Sequence, residues 1–207
     1  KELLYERMLK EIKCYNSNKI ITSIYKHPNY DLVKNFLIKK KFKLVQTNRE
    51  YSCNITKINF EKYKPLIKKL KSSGIEFFDS KNEMSDWPNH YKKLEELEWN
   101  YSQDYPIPEG IYNTRAPFEH WYRLCQDFYS NNYGIQIVAV RNNQYIGSTD
   151  IEINPKTEPK KAWTGGLGVI KKFRRRGVAT ALKIKAFENL INKKIIEVRT
   201  DNEEYNP

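Results

Sequence analysis

Residues 163–185 decide the fold of this chain, and they read W-T-G-G-L-G-V-I-K-K-F-R-R-R-G-V-A-T-A-L-K-I-K. The first part, 163–170, is small or apolar, which predicts a buried strand. From Val178 onward the apolar residues recur at helical spacing and share one face: Ala179, Leu182, Ala186 and Phe187. The stretch therefore predicts a strand, a short basic turn and a helix, in that order.

The basic turn between this strand and helix is F-R-R-R-G, residues 173–177. The first turn of a helix exposes unpaired N–H groups and carries the positive end of the helix dipole, so it attracts anions. Three arginines add positive charge there, and Gly177 permits a close backbone approach or a positive φ. The turn predicts a cradle for a pyrophosphate group; the alternative is an ordinary solvated run of charges.

The composition bounds the class of protein. The 207 residues are 39% hydrophobic and 14% aromatic, which is enough to build a core in one large or two small domains. No apolar run approaches the ~20 residues that a membrane span requires, so we expect no membrane partner. The first residues predict an amphipathic helix and not a signal peptide. Because position 1 is not Met, we expect the chain to begin within a longer protein.

The cysteine and charge content narrow the functional classes. The three cysteines are scattered, without C-x-x-C spacing, and the three histidines show no ligand spacing, so we expect no metal site and no disulfide framework. This usage favours a reduced, cytoplasmic setting. The net charge of +12 could attract nucleic acid or an anionic ligand, or could reflect lysine as the preferred surface residue. Since the lysines are spread along the chain and no recognition motif accompanies them, we do not expect a nucleic-acid partner.

The remaining patterns predict an alternation of helices and strands. Predicted helices cover 3–13, 29–40, 60–73, 82–101, 117–129 and 178–192. Predicted strands cover 19–25, 42–47, 50–55, 75–79, 135–141, 145–153, 163–170 and 195–200. Residues 104–117 form a proline-containing loop long enough to suggest a functional role, and 201–207 read as a polar tail.

This order of elements, together with the basic turn, resembles the GNAT-type N-acetyltransferase superfamily over residues 56–207. The run V-I-K-K-F-R-R-R-G-V-A matches the family's [Q/R]-x-x-G-x-[G/A] signature, with Arg174, Gly177 and Ala179 at its defined positions. The resemblance implies an α/β (α+β) fold with a mixed, mostly antiparallel central sheet flanked by helices. It also implies acetyl-CoA as a co-substrate and no metal.

The same resemblance extends to the domain organisation. Residues 1–55 are similar to the closing third of a first GNAT-like domain, although Lys41 stands where family members usually have Gly before Phe42. Residues 56–207 resemble a second GNAT domain truncated at its C-terminal end. The chain is thus interpreted as a window on a tandem GNAT protein. We expect part of 20–55 to fill the missing strand position beside 195–200.

The resemblance also implies a set of cofactor-binding residues. The backbone of Leu167, Gly168, Val169 and Ile170 would run along the pantetheine arm of acetyl-CoA. The amides of Arg174, Arg175, Arg176, Gly177, Val178 and Ala179, with the Thr180 hydroxyl, would hold the pyrophosphate. Asn202 and Asn206 would hydrogen-bond the pantetheine amides, or would form an Asx turn or cap.

Candidate catalytic residues follow from the chemistry of acetyl transfer, which requires positioning, deprotonation of the amine and stabilisation of an oxyanion. Val169 is the candidate backbone oxyanion donor. Asp150 and Glu152 face the same side of a strand by their period of two and are candidate bases, or they line the acceptor pocket or face solvent. Glu98 and Glu109 are further candidates. The tyrosine that often serves the family as general acid lies beyond this chain, because Tyr205 comes too early in the order.

The sequence therefore predicts an acetyl-CoA-dependent N-acetyltransferase that moves an acetyl group to a primary amine by direct attack on the thioester. The acceptor could be a small molecule or a peptide amine. The alternative is a catalytically inactive GNAT-like domain that binds CoA or a partner protein. The oligomeric state is left open.

Overall fold

The structure is a computed structural model that describes residues 2–14, 19–108, 111–130, 134–154, 156 and 161–204. The chain divides into two compact units, Lys1–Val45 and Gln46–Pro207. Among the described residues, no helix is long and apolar enough to cross a membrane.

The first unit contains two helices, α1 (Glu2–Lys13) and α2 (Tyr30–Lys39). The ring of Tyr5 lies edge-on to Phe36 with 5.9 Å between centroids, and the Lys40 ammonium lies 2.5 Å from the Glu2 carboxylate. No described residue of either helix is buried. The predicted strands at 19–25 and 42–47 are wrong, because these segments form no strand. An apolar pattern becomes a strand only where the backbone finds a ladder partner.

The second unit is a three-layer assembly of helices and strands. In chain order the elements are β1 (Asn48–Asn54), α3 (Lys64–Ser72), β2 (Ile75–Asp79), α4 (Ser80–Met84), α5 (His90–Ser102), α6 (Phe118–Ser130), β3 (Gly134–Arg141), β4 (Gln144–Asn154), β5 (Lys161–Val169), α7 (Val178–Asn192) and β6 (Glu197–Glu203). The strands form one sheet in the order β1-β6-β5-β4-β3-β2, antiparallel except for the β5–β6 pair. This arrangement confirms the predicted mixed, mostly antiparallel α/β fold.

Strand β1 lies antiparallel to β6 over its whole length, from Asn48 opposite Glu203 to Asn54 opposite Glu197. The expected pairing of part of 20–55 beside the last strand is thereby confirmed. Residues 201–203 belong to β6 and not to a polar tail, because β1 supplies their hydrogen-bond partners. The interpretation of 1–55 as the end of a first domain stays a prediction.

Each face of the sheet buries its own core. Helices α3 and α7 cover one face, where Ile146, Ile151, Leu182 and Leu190 are fully buried. Helices α4, α5 and α6 cover the other face, and there Met84, Leu94 and Val138 form a smaller core. Burial of this apolar area is the main stabilising contribution.

The single helix predicted for 82–101 is broken into α4 and α5. Pro88 has no N–H to donate to a helix, and Asn89 takes a left-handed conformation with φ of 56°. The Asp79 carboxylate caps α4 by accepting from the N–H groups of Lys81 and Asn82 at 3.0 and 2.9 Å. The break brings His90 to the start of α5, where it is buried.

Candidate active site

The basic turn occupies the end of β5 and the start of α7. A short 3-10 turn, Lys171–Phe173, follows the strand, and the buried Phe173 ring anchors it in the core. Gly177 is the N-cap of α7 with φ of 85°, a conformation that L side chains rarely adopt. A Cβ at Gly177 would lie 2.7 Å from Leu66 Cδ1, so both the backbone angle and the space require glycine.

The first arginine of the turn is held by two oxygens. Arg174 donates from Nε to the Val169 carbonyl at 2.7 Å and from Nη2 to Asp104 Oδ2 at 2.5 Å. Lys171 also lies 3.0 Å from Asp104, and hydrogen bonds from these two cations hold the pKa of Asp104 below its usual range. Arg175 and Arg176 are exposed beside the helix start. The turn therefore combines unpaired helix N–H groups with at least two solvent-facing guanidinium groups.

Strand β5 has an open edge between the cradle and the sheet. It pairs with β6 only from Lys161 to Trp163, and beyond this point the parallel strands separate. On the other side, Ile170 N–H donates to the Ile146 carbonyl at 2.9 Å, while Val169 lies opposite Gly147. Since hydrogen-bonded and non-bonded pairs alternate along an antiparallel ladder, the N–H and C=O of Val169 point away from β4. By the same alternation, the N–H and C=O of Leu167, which lies opposite Thr149, also point away from β4.

Asp150 lies at an irregularity where β4 meets β5. Between Thr149 and Ile151 the register shifts, so this residue faces two glycines, Gly165 and Gly166. Asp150 Oδ1 accepts from the Gly166 N–H at 2.8 Å, and a Cβ at Gly165 would lie 1.9 Å from Oδ2. Burial raises the pKa of the Asp150 carboxyl to about 6. The two glycines thus make room for a carboxylate beside the open edge.

Glu98 on α5 is the second carboxylate in this region. Its Oε2 accepts from Trp121 Nε1 at 2.9 Å, and its Oε1 accepts from Gln136 Nε2 at 2.7 Å. Burial raises the pKa of Glu98 to about 7, and the negative charge of Asp150 adds to the rise. Both carboxyl residues keep partial solvent exposure, so a ligand can reach them.

Two tyrosines separate these carboxylates from the cradle. The ring of Tyr101 packs on Gly168, where an added Cβ would lie 2.0 Å from Tyr101 Cγ, and its hydroxyl lies 3.1 Å from Ser148 Oγ. The Tyr105 hydroxyl donates to the Leu167 carbonyl at 3.4 Å, on the open edge of β5. The two tyrosines therefore lie between the carboxylates and the part of β5 that leads to the basic turn.

The structure separates the residues that the sequence grouped as candidate bases. Asp150 and Glu98 lie close enough for their charges to interact, whereas Glu152 is exposed. Asn202 lies on β6 opposite Arg49 and is exposed. Glu109, Tyr205 and Asn206 lie outside the described residues.

Sequence patterns alone missed two polar residues of this site, Gln136 and Ser148. Both are buried on the strands that carry the site. The available signal was a polar side chain inside an otherwise apolar strand, as in I-Q-I-V-A-V, because a buried polar group requires a hydrogen-bond partner. Among the described residues, no group of three or more His, Cys, Asp or Glu could hold a metal ion.

A sheet whose two parallel strands separate above a basic helix start defines an acetyltransferase fold. The chain belongs to the acetyltransferase (GNAT) family, whose model matches residues 93–206. The predicted family is thereby confirmed, while the domain bounds 56–207 stay a prediction. A search of curated proteins finds no match.

Three solved structures share the fold. A glucosamine N-acetyltransferase region of a fungal multi-domain GH3 β-N-acetylglucosaminidase matches at TM-score 0.59 and 13% identity, over 84% of this chain and 20% of that chain. A GCN5-related N-acetyltransferase from Sphaerobacter thermophilus matches at TM-score 0.58 and 14% identity, over 86% of this chain and 50% of that chain. A tandem GNAT protein from the clavulanic acid biosynthesis pathway matches at TM-score 0.57 and 14% identity, over 91% and 54%. This chain thus spans about half or less of each of these proteins.

Proposed function

We propose that this chain is the catalytic part of an acetyl-CoA-dependent N-acetyltransferase that acts on a primary amine. The observation that carries the proposal is the pair of carboxylates, Glu98 and Asp150, beside the open edge of β5 that leads to the basic turn. Family membership supports acetyl transfer in general. The pair supports an amine as the acceptor, because a carboxylate can both bind an ammonium group and accept its proton.

The residues of the turn and strand fit acetyl-CoA. The exposed helix start with Arg175, Arg176 and the left-handed Gly177 suits a pyrophosphate, and the amides up to Thr180 are the predicted donors. The outward N–H groups of Leu167 and Val169 suit the pantetheine arm in the manner of an added strand, while the two carbonyls already accept from Tyr105 and Arg174. Acetyl-CoA supplies the activated acetyl group as a thioester.

The two carboxylates suit different tasks. The pKa of Glu98, raised to about 7, makes its carboxylate a base near neutral pH. Asp150 has the lower pKa, about 6, and one of its oxygens is fixed by the Gly166 N–H, so it suits the binding of the ammonium group. Since the carboxyls interact, they titrate as a pair. Glu152, being exposed, suits neither task.

The reaction balances with these groups. The amine nitrogen forms a bond to the acetyl carbon while the carbon–sulfur bond breaks, and CoA leaves as a thiolate. An ammonium acceptor loses two protons. The first, whose loss frees the lone pair of the nitrogen, would pass through Glu98 to solvent, and the second, released as the bond to the acetyl carbon forms, would pass through Glu98 to the thiolate. The Val169 N–H on the outward side of β5 would donate to the acetyl oxygen.

The acceptor that this site favours is a cationic amine. The protein carries a net charge of +12, yet the surface beside β5 presents two partly exposed carboxylates. The exposed ring of Tyr105 adds an aromatic face that attracts an ammonium group. We propose small-molecule or peptide amines as acceptors, and amino sugars, polyamines and lysine peptides form the test panel.

The decisive experiment measures acetyl-CoA binding by calorimetry and then CoA release with this amine panel. We expect binding and amine-dependent release. Binding without release for any amine would favour the second candidate, a catalytically inactive CoA-binding domain. That alternative is the one that the sequence leaves open. Absence of binding would contradict both.

A further inference from the structure

A chain of buried polar side chains runs from the far end of α5 to the Glu98 carboxylate. The Tyr145 hydroxyl lies 2.8 Å from His90 Nδ1, and His90 Nε2 lies 2.9 Å from Ser80 Oγ. Ser80 Oγ lies 2.6 Å from the Tyr129 hydroxyl. The next links join Tyr129 to Gln136 and Gln136 to Glu98. Every member before Glu98 is buried. We call this chain the Glu98 array; its members are Tyr145, His90, Ser80, Tyr129 and Gln136.

The direction of each hydrogen bond in the array is fixed from the Glu98 end. Gln136 donates its amide N–H to Glu98, so its carbonyl oxygen faces the other way and accepts from the Tyr129 hydroxyl. Tyr129 has only one proton, and therefore Ser80 must donate to the Tyr129 oxygen. Ser80 has also used its one proton, so it can only accept from its remaining neighbour.

That neighbour is His90, and the same logic assigns its tautomer. His90 must donate from Nε2 to Ser80 and accept at Nδ1 from the Tyr145 hydroxyl. This requires a neutral imidazole. Burial, with the nearby Lys93 charge, lowers the pKa of His90 to about 4, which is consistent with this assignment. All five donors therefore point toward Glu98.

We propose that the Glu98 array is a positioning device that orients the Gln136 amide and thereby fixes the Glu98 carboxylate toward the amine acceptor. The inference rests on the proposed function, in which Glu98 receives the amine proton. The array is not a proton-conducting path, because the Gln136 amide has no proton that it releases at neutral pH. Its members act by geometry and by the direction of their dipoles.

Other groups that face Glu98 set the background for a test by pH. Helix α5 contributes Glu95 and Tyr101, and the loop after it contributes Tyr105. Helix α6 contributes Trp121, Cys125 and Tyr129, and the strands β3 and β4 contribute Gln136 and Asp150. A substitution within the array leaves all the carboxylates in place. Its effect on Glu98 therefore reports the hydrogen-bond chain and not a lost charge.

The central variant is Tyr129→Phe in the full chain. It removes the hydroxyl proton that the Gln136 carbonyl oxygen accepts, so the Gln136 amide can rotate by 180° and present its oxygen to Glu98. We expect the pKa of Glu98, followed by NMR of its carboxyl carbon, to move upward by about one pH unit. The acid limb of kcat/KM should move by the same amount, with kcat at pH 7 lowered about tenfold and KM for acetyl-CoA unchanged.

The matched control is Tyr91→Phe. Its ring lies 6.4 Å from that of Tyr129, and among the described residues none hydrogen-bonds the Tyr91 hydroxyl. This variant should leave the Glu98 pKa and the pH profile unchanged. If Tyr129→Phe fails to fold, Ser80→Ala breaks the array one link earlier with a smaller change of volume. His90→Leu should abolish the function of the array, and His90→Gln should restore it, because glutamine keeps one donor and one acceptor.

A nitrogen NMR measurement tests the assignment without any activity. We expect the neutral Nε2–H tautomer of His90 between pH 5 and 8; an Nδ1–H tautomer or an imidazolium in that range would overturn the array. An unchanged Glu98 pKa in Tyr129→Phe would also overturn it. A raised Glu98 pKa with an unmoved acid limb would instead show that Glu98 is not the base, which rejects the proposed function and leaves the hydrogen-bond chain standing as structure alone.

Discussion

At the scale of single residues, the site depends on carboxylates whose surroundings move their pKa values apart. Glu98 and Asp150 lie in one low-dielectric region, and burial raises the pKa of each. Two residues on from Asp150, Glu152 stands in solvent. The alternation of strand side chains places 150 and 152 on one face, but their burial differs, since Asp150 lies against Gly165 and Gly166 and near Glu98.

The residue most informative for catalysis is Glu98. Glu98→Gln keeps the shape of the side chain and one acceptor oxygen, which can serve either Trp121 or Gln136 but not both, and it removes the base. We expect kcat with the preferred amine to fall by about 100-fold at pH 7.5, with little change in acetyl-CoA binding. Glu152→Gln is the matched control and should lower kcat less than twofold. Equal losses in both variants would contradict the assigned roles.

Glu98→Gln also has a defined effect on how the free energy of unfolding depends on pH. The pKa of Glu98 is raised on folding from 4.5 to about 7, so the folded state binds the proton more tightly. The resulting stabilisation is present below pH 4.5 and is lost as the pH rises to 7. Relative to Glu98→Gln, the wild type should lose about 2 kcal/mol of unfolding free energy over this window. Urea titrations of both proteins at pH 4.5, 6 and 7.5 measure it, and a wild type that gains stability relative to Glu98→Gln as the pH rises would contradict the sign.

Gly177 tests the cradle. Gly177→Val combines a disfavoured positive φ with a contact to Leu66, so it should displace the start of α7 and weaken acetyl-CoA binding at least tenfold in calorimetry. Gly74→Val is the control, because Gly74 also has a positive φ, 79°, but lies outside the site with open space around it. Unaltered affinity in Gly177→Val would count against the cradle.

At the scale of elements, helix ends follow local chemistry that the sequence only partly shows. Helix α7 ends with Lys194 at φ of 60°, where its N–H bonds to Ile191 and the Ile195 N–H bonds to Leu190. Helix α2 ends in the same way at Lys41, with φ of 65°. This explains why glycine is usual before Phe42 in the pattern described above: the position requires a left-handed backbone.

Lys194 therefore offers a stabilising change. Lys194→Gly removes the steric cost of a left-handed residue while keeping both hydrogen bonds, and should raise the free energy of unfolding by about 0.5–1 kcal/mol. Lys193→Gly, one residue earlier with φ of −90°, should instead lower it by a similar amount. Thermal unfolding of both variants measures the difference. The same sign for the two changes would contradict the backbone argument.

Sequence patterns predicted the six strands of the sheet but also two strands that do not form, at 19–25 and 42–47, and they missed the break between α4 and α5. The apolar alternation at 42–47 matches a strand, but no neighbour supplies a ladder there and Leu44 and Val45 are exposed. The less apolar Asn48–Asn54 does form a strand, because β6 lies beside it. Backbone hydrogen bonding with a distant segment decides between them, and a local pattern carries no information on that partner.

At the scale of the whole molecule, β1 ties the start of the second unit to its last strand. The two compact units divide at 45/46, ten residues before the boundary interpreted from the family pattern. Deleting 1–45 should leave the sheet of the second unit complete and its unfolding cooperative. Deleting 1–55 removes β1, exposes the edge of β6 and should lower the melting temperature and promote aggregation. Calorimetric unfolding of the two truncated chains checks this, and equal stability would contradict the role of β1.

Sequence patterns were enough to predict the strand, turn and helix at 163–185 and the family, because these depend on short-range spacing, glycine conformation and helix-end electrostatics. They also put Asp150 and Glu98 among the candidate bases. That these two carboxylates are buried near each other, that Glu152 is exposed, and that Gln136 links Glu98 to a buried array depend on tertiary contacts. Depth of burial and hydrogen-bond partners arise where α4, α5 and α6 cover the sheet, and residues far apart in the chain meet only there.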